Sequence, residues 1–269
     1  MGEEEEEDML EEGEQHQPGW QGTCEDLPFQ PSTYQDRPSV GVEQHQGWSS
    51  GPAGGHLQSH VITQNVGPVG LWNSLPAVER MAQGNPTAIL LQDTRMGDTP
   101  RARDQMQKAL RWVAPLYHAQ FESTRQRVWD SVKQKRVSKM IGVCTLLHNE
   151  MRPVQDAELL SSFGLKGAQL KACEGRVMVL MAAGRSAKAD AYINIYQHVG
   201  ARLEQQKLVW TAVQTVVRKL RGKVNLILMA GDFNASKEGR MGYAGDFTKV
   251  DEGFVEFVRQ VQAEPATGV

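Results

Sequence analysis

The chain has 269 residues, a net charge of −3 and 40% apolar content, enough for one large domain or two small ones with a sizeable core. No apolar run approaches the ~18 residues of a membrane span, and the acidic start MGEEEEEDMLEEGE lacks the apolar stretch of a secretory signal. Cys24, Cys144 and Cys173 are odd in number and scattered, which argues against a disulfide framework and a zinc site and suits an intracellular protein with no membrane partner.

Residues 1–14 hold nine acidic groups and no basic ones, which leaves +6 on the rest of the chain. A mildly basic body is compatible with a polyanionic partner but equally with an ordinary solvated surface. Residues 1–58 read as a disordered head, acidic first and then rich in Gly, Pro and Gln. Within it, Gly47-Trp48-Ser49-Ser50-Gly51 matches G-x-S-x-G by coincidence, since no buried strand precedes it and no helix follows.

Order is expected from about residue 59 to 262, with 263–269 as a tail. Val61 to Val66 is a short β-type run that leads into Gly-Pro-Val-Gly. Ser74 is placed to cap a helix with Pro76 in its first turn and Leu75, Val78 and Met81 on one face. Ala88 to Leu91 is a buried strand running into Gln92-Asp93-Thr94-Arg95. Asp104 to Val113 is a helix and Tyr117 to Phe121 a strand, while the polar, basic residues 122–140 read as an exposed loop or edge. Further strands are expected at Ile141 to Leu147, Arg176 to Met181 and Asp190 to Tyr196, the last two joined as a hairpin. A long amphipathic helix follows, with Leu203, Val209 or Trp210, Val213, Val217 and Leu220 on its stripe. Val224 to Met229 is an interior strand ending in Gly231-Asp232-Phe233-Asn234. A Gly-rich loop, 238–245, and a helix using Phe254, Phe257, Val258 and Val261 complete the chain. Strands alternating with helices indicate a layered α/β fold.

Several of these strands end on oxygen-bearing polar side chains: Asn65, Asp93, Tyr196, Asp232 and Asn234. Singly, such a residue is more often a turn former or cap. As a set they are hard oxygen donors, which suits Mg²⁺ or Mn²⁺ better than zinc. Such an ion polarises a phosphoryl oxygen in phosphodiester hydrolysis.

In their order and spacing these motifs resemble the endonuclease/exonuclease/phosphatase superfamily, the fold of exonuclease III-like and DNase I-like enzymes. The resemblance covers roughly residues 60–260. It rests on Ile62-Thr63-Gln64-Asn65, Leu90-Leu91-Gln92-Asp93-Thr94-Arg95, Asn194-Ile195-Tyr196 and Gly231-Asp232-Phe233-Asn234. The phrases LLQDTR, INIYQH and GDFNAS look most like the endonuclease domain of a non-LTR retrotransposon polyprotein. The resemblance implies a four-layer α/β sandwich, two packed mixed β-sheets flanked by helices, missing its C-terminal strands. It implies Asn65 and Asp93 at a Mg²⁺ or Mn²⁺ site, Tyr196 against the scissile phosphate, and Asp232 and Asn234 orienting water and binding phosphate. The expected partner is nucleic acid, DNA before RNA; oligomeric state is not legible.

Two departures accompany the resemblance. Asp93 stands where the family has Glu, one methylene shorter, so weaker or water-bridged metal binding is expected. No histidine follows His198, so the family's closing Ser-Asp-His motif is not in this sequence. His16, His45 and His56 lie in the head, and His118 and His148 on or beside strands; only His198 follows a site motif closely. The expectation is a metal-dependent phosphodiester hydrolase with impaired turnover. The alternatives are a non-catalytic nucleic-acid-binding remnant, a phosphomonoesterase or phospholipid-directed member of the same superfamily, or a chain unable to fold fully.

Overall fold

The computed structural model describes residues 60–261, apart from 131–134, 155–159, 184–187, 198–202 and 236–248. The acidic head, the G-x-S-x-G match, His198 and the 238–245 loop lie outside the described residues.

One four-stranded sheet runs in the order β1-β2-β4-β3, from β1 (Val61–Asn65), β2 (Ala88–Gln92), β3 (Tyr117–Asp130) and β4 (Lys135–His148). The other runs β5-β6-β7-β8, from β5 (Arg152–Pro153), β6 (Val177–Ala183), β7 (Asp190–Tyr196) and β8 (Ile227–Asp232). Both are mixed. β1 is parallel to β2 and β7 to β8, while the other neighbours are antiparallel. The helices are α1 (Gly70–Asn73), α2 (Leu75–Gln83), α3 (Pro100–Val113), α4 (Gly167–Cys173), α5 (Leu203–Leu220) and α6 (Lys249–Val261).

The period-2 alternation of each central strand supplies two faces, and both are apolar because both are covered. On β2, Ile89 and Leu91 pack with Val78 and Met81 of α2 and Met106 and Leu110 of α3. Leu90 faces the other way, with Val143 of β4 and with Met178, Leu180 and Tyr192 of the second sheet. The far face of that sheet, Val179, Ile193 and Ile195, packs under Cys173 of α4, the Val209–Val213–Val217 stripe of α5, and Phe257 and Val261 of α6. The result is four layers: helices, sheet, sheet, helices. Each aliphatic side chain fully buried this way contributes ~1.5–3 kcal/mol.

A polar clip crosses the otherwise apolar interface between the sheets. Gln92 Nε2 donates to Asn194 Oδ1 at 2.7 Å, and Asn194 Nδ2 donates to Thr145 Oγ1 at 3.1 Å and to the Cys144 carbonyl at 3.0 Å. Asn194 therefore holds the two sheets in register.

Several local expectations need correction. Of the two readings of residues 122–140, the described ones take the edge and not the loop: 122–130 and 135–140 are the distal halves of β3 and β4, a two-stranded ribbon at the sheet's edge within the pairing from Tyr117↔His148 to Asp130↔Lys135. Its polarity follows because β4 pairs with β2 only as far as Val143, so among the described residues this part of the ribbon has no third strand to demand apolar side chains. Ser74 stands at the N-cap of α2 as expected, with Pro76 in the first turn, but its side chain makes no capping bond: the hydroxyl donates instead to the Gly70 carbonyl at 2.9 Å, closing the turn between α1 and α2. Thr99 is the cap that forms, its Oγ1 accepting from the Ala102 N–H at 3.2 Å with Pro100 opening α3. The Val224–Met229 run is not an interior strand. β8 begins at Ile227, is half-buried throughout and has one neighbour, β7, among the described residues.

Candidate active site

The carboxyl ends of both parallel pairs lie at one edge of the sandwich, the place where open α/β sheets gather ligands. β1 delivers Asn65 and β2 delivers Asp93. β7 delivers Tyr196 and β8 delivers Asp232, followed by Asn234.

Asn65 is fixed by its own turn: its Oδ1 accepts the Gly67 N–H at 2.7 Å, an Asx-type closure. Its Nδ2 donates to Asp232 Oδ2, so the ends of β1 and β8 meet although they belong to different sheets. The other oxygen of Asp232 accepts the Asn234 N–H at 3.1 Å. Between them Phe233 is held in the outer aromatic cluster, its ring centroid 5.1 Å from Phe254 and 5.9 Å from Trp210. Anchoring the middle residue in apolar packing fixes where Asp232 and Asn234 stand. Asn234 adopts a left-handed φ of 45° and donates through Nδ2 to the Gln197 carbonyl. Gly231 has φ 150°, and a β-carbon there would overlap the Ile195 carbonyl. The motif's glycine is thus required by the close approach of β7.

Asp93 is 6% exposed and has φ 52°, a left-handed turn straight off β2. Its carboxylate is gripped by Arg95, with Nη2 to Oδ2 at 2.9 Å and Nε at 3.2–3.3 Å from both oxygens. The Tyr196 side chain hydrogen-bonds Asp93, and burial, followed by the nearby charges of Asp93 and Asp232, raises its pKa far above the ordinary phenol value. Tyr196 is therefore a protonated donor at any physiological pH. All five residues expected from the sequence come together, joined as Asn65–Asp232–Asn234 on one side and Tyr196–Asp93–Arg95 on the other.

Arg176 was not foreseen here. It immediately precedes β6, opposite Tyr196, whose N–H donates to its carbonyl at 2.7 Å. Its guanidinium is 3% exposed, donates through Nη2 to Gln126 Oε1 at 2.7 Å, and has Nε and Nη1 buried without a partner among the described residues. Burial lowers its pKa. By sequence it is expected as the first residue of the Arg176–Met181 strand, which begins instead at Val177, and nothing in the sequence marks it as functional.

The described histidines are not at this edge. His60 precedes β1, and the His118 and His148 strand positions pair with Leu147 and Tyr117 at the opposite end of the sandwich.

The donor chemistry fits a hard divalent cation. Asp93, Asp232 and the Asn65 carbonyl oxygen are oxygen ligands, and Mg²⁺ commonly binds through one or two carboxylates with water completing its shell. The fit is qualified by Arg95, a cation already seated on Asp93. No group of three His, Cys, Asp or Glu side chains is placed to hold a metal among the described residues.

No family model and no curated protein matches the chain. Among solved structures it is similar to truncated TDP2 of Caenorhabditis elegans, at 15% identity and a TM-score of 0.41, covering 70% of this chain and 66% of that one. It is similar to an endonuclease/exonuclease/phosphatase family protein from Leptotrichia buccalis, at 9% identity and a TM-score of 0.41, covering 73% and 72%. It is also similar to ANGEL2, described as a 2',3'-cyclic phosphatase, at 14% identity and a TM-score of 0.40, covering 60% and 43%. The chain spans slightly less than two thirds of the TDP2 chain and somewhat less than half of ANGEL2. What this chain does has to be argued from its own residues.

Proposed function

We propose that this chain is a phosphodiester hydrolase of the endonuclease/exonuclease/phosphatase type, acting on nucleic acid, DNA before RNA, with slow turnover. The observation that carries this reading is the convergence of Asn65, Asp93, Tyr196, Asp232 and Asn234 at one strand edge, held by the Asn65–Asp232 and Tyr196–Asp93 hydrogen bonds. The motif phrasing supports a non-LTR retrotransposon endonuclease as the kind of protein.

Each side chain has a role its chemistry allows. Asp232 accepts a hydrogen bond from the attacking water, and the Asn234 carboxamide helps fix that water's direction. The one hydroxyl hydrogen of Tyr196 goes to Asp93 here; with substrate bound it turns to a phosphoryl oxygen, where negative charge grows as the bond to water forms. Asn65 holds Asp232 in place. Asn65 and Asp93, with Asp232 beside them, would hold a Mg²⁺ or Mn²⁺, which would supply Lewis-acid polarisation of the phosphoryl group.

Slow turnover follows from two features. Arg95 competes for Asp93, and no described histidine stands at the edge to move a proton. A missing general acid or base costs on the order of 10²–10⁴ in rate.

Plasmid nicking with Mg²⁺, with Asp232→Ala as control, tests the reading, and inositol phosphates and sphingomyelin serve as competing substrates. Nicking abolished by Asp232→Ala supports it. Turnover of the small phosphates or the lipid without nicking overturns the substrate assignment.

A further inference from the structure

We propose that the site's outer lip is a polynucleotide platform on which Trp72 stacks an unpaired base and Arg125 and Arg127 hold the backbone phosphates of the same strand. The inference rests on the phosphodiester reading above and names the substrate's form.

The geometry turns on Thr94, the residue after Asp93. Its carbonyl accepts the Leu71 N–H at 2.9 Å, which seats α1 against the Asp93–Arg95 turn. Its N–H donates to the Gly142 carbonyl at 3.0 Å, which seats the root of the β3–β4 ribbon on the other side. Gly142 pairs with Ser123, and two residues further out comes Arg125, then Arg127. Asp93 is thus flanked by Trp72 across one backbone hydrogen bond and by the arginine ribbon across another.

The exposed side chains on these two flanks are complementary to a nucleotide. Trp72 is 54% exposed and its neighbour on the lip, Val69, 56%, an outlay of apolar surface within four residues that the core does not use. Arg125 and Arg127 are exposed and have no ion pair among the described residues. They share the face that carries Ala119 and Phe121 against α3, whose first turns present Arg101 and Arg103, also exposed. An aromatic plane beside a line of cations is how single strands are held without sequence readout. A small phosphate ester needs no such line, and a membrane surface would call for several apolar side chains rather than this pair.

The ribbon is held still enough to serve. On its opposite face, Gly175 N donates to Glu122 Oε1 at 3.2 Å and Arg176 reaches Gln126. A β-carbon at Gly175 would come within 2.9 Å of Thr124.

The test uses the full chain carrying Asp232→Asn, so that binding is read without cleavage. Tryptophan fluorescence is titrated with a single-stranded DNA oligonucleotide, an abasic oligonucleotide, inorganic polyphosphate and anionic phosphatidylserine vesicles. The expected result is quenching by the base-bearing strand, with affinity about tenfold weaker in Trp72→Ala and largely retained in Trp72→Phe. Replacing Arg125 and Arg127 together by Ser should lower the salt dependence of binding by about 1.4 in logarithmic slope, ~0.7 for each lost contact. Equal binding of polyphosphate and the base-bearing strand, indifferent to Trp72→Ala, overturns the proposal, as does preference for vesicles. Oligonucleotide binding that depends on Trp72 in a chain that never nicks would remove the hydrolase reading and leave this surface standing.

Discussion

The carboxamide of Asn65 donates to the carboxylate of Asp232 across the ends of β1 and β8, strands that belong to different sheets. Asp232 thereby has one oxygen committed to Asn65 and the other to the Asn234 backbone. The Asp232→Asn variant keeps the size and loses the charge and basicity. Nicking should fall by at least ~10²-fold, while the thermal midpoint moves by less than about 3 °C because the pair is open to solvent. Parallel nicking and melting curves check both.

Arg95 is the nearest rival to any cation at Asp93. Arg95→Met removes a unit positive charge about 3 Å from the carboxylate and should tighten Mn²⁺ binding by about tenfold, since the Coulomb term for a divalent ion is roughly doubled. Mn²⁺ titration followed by electron paramagnetic resonance reads this without any substrate. Unchanged affinity would mean that Asp93 does not hold the ion.

Asn194 should behave as a structural residue despite its place in a site motif. Asn194→Leu removes the 2.7 Å acceptor of Gln92 Nε2, which keeps Thr63 Oγ1 and the Leu90 carbonyl, and breaks the bonds to Thr145 and to the Cys144 and Leu91 carbonyls. A loss of about 2 kcal/mol is expected, because several buried hydrogen bonds across the sheets are lost together and replaced by apolar contact. Urea unfolding measures it, and a change below ~1 kcal/mol would show that the clip contributes little.

Glu122 gives stability a pH dependence. Burial is the main cause that pushes its carboxyl up to about 7, with Glu174 adding and the Gly175 N–H and Arg103 opposing. A raised carboxyl favours folding below its unfolded-state pKa, and that contribution is lost as pH rises through about 7. Glu122→Gln keeps an oxygen for the Gly175 N–H and removes the titration. The variant should gain thermal stability relative to the parent at pH 8 and little at pH 4, as melts across that range will show.

Much of the sandwich was readable because its central strands are buried on both faces. Ala88 to Leu91 and Asp190 to Tyr196 announced themselves as apolar runs with polar ends, and the stripe of α5 fell at helical spacing. The β3–β4 ribbon left loop and edge open because a strand's composition reports what covers it, and beyond Val143 no third strand pairs with it among the described residues. Residues 160–173 drew no assignment, yet they supply Leu160, Phe163 and Cys173 to the outer core. Those positions become apolar-facing only once α5 is laid over them.

The sequence alone determined which side chains end the strands, and hence that Asn65, Asp93, Tyr196, Asp232 and Asn234 were the residues to watch. Their identity is a one-dimensional fact, fixed by where apolar runs stop. Only the tertiary structure decided which of them touch. Asn65 meets Asp232 and Tyr196 meets Asp93 because two separate parallel pairs are stacked in register by Asn194 and Gln92, a relationship between sheets that no local pattern encodes. Packing likewise set Arg95 on Asp93, where a left-handed turn folds the chain back on its own strand end. A metal must contend with that ion pair.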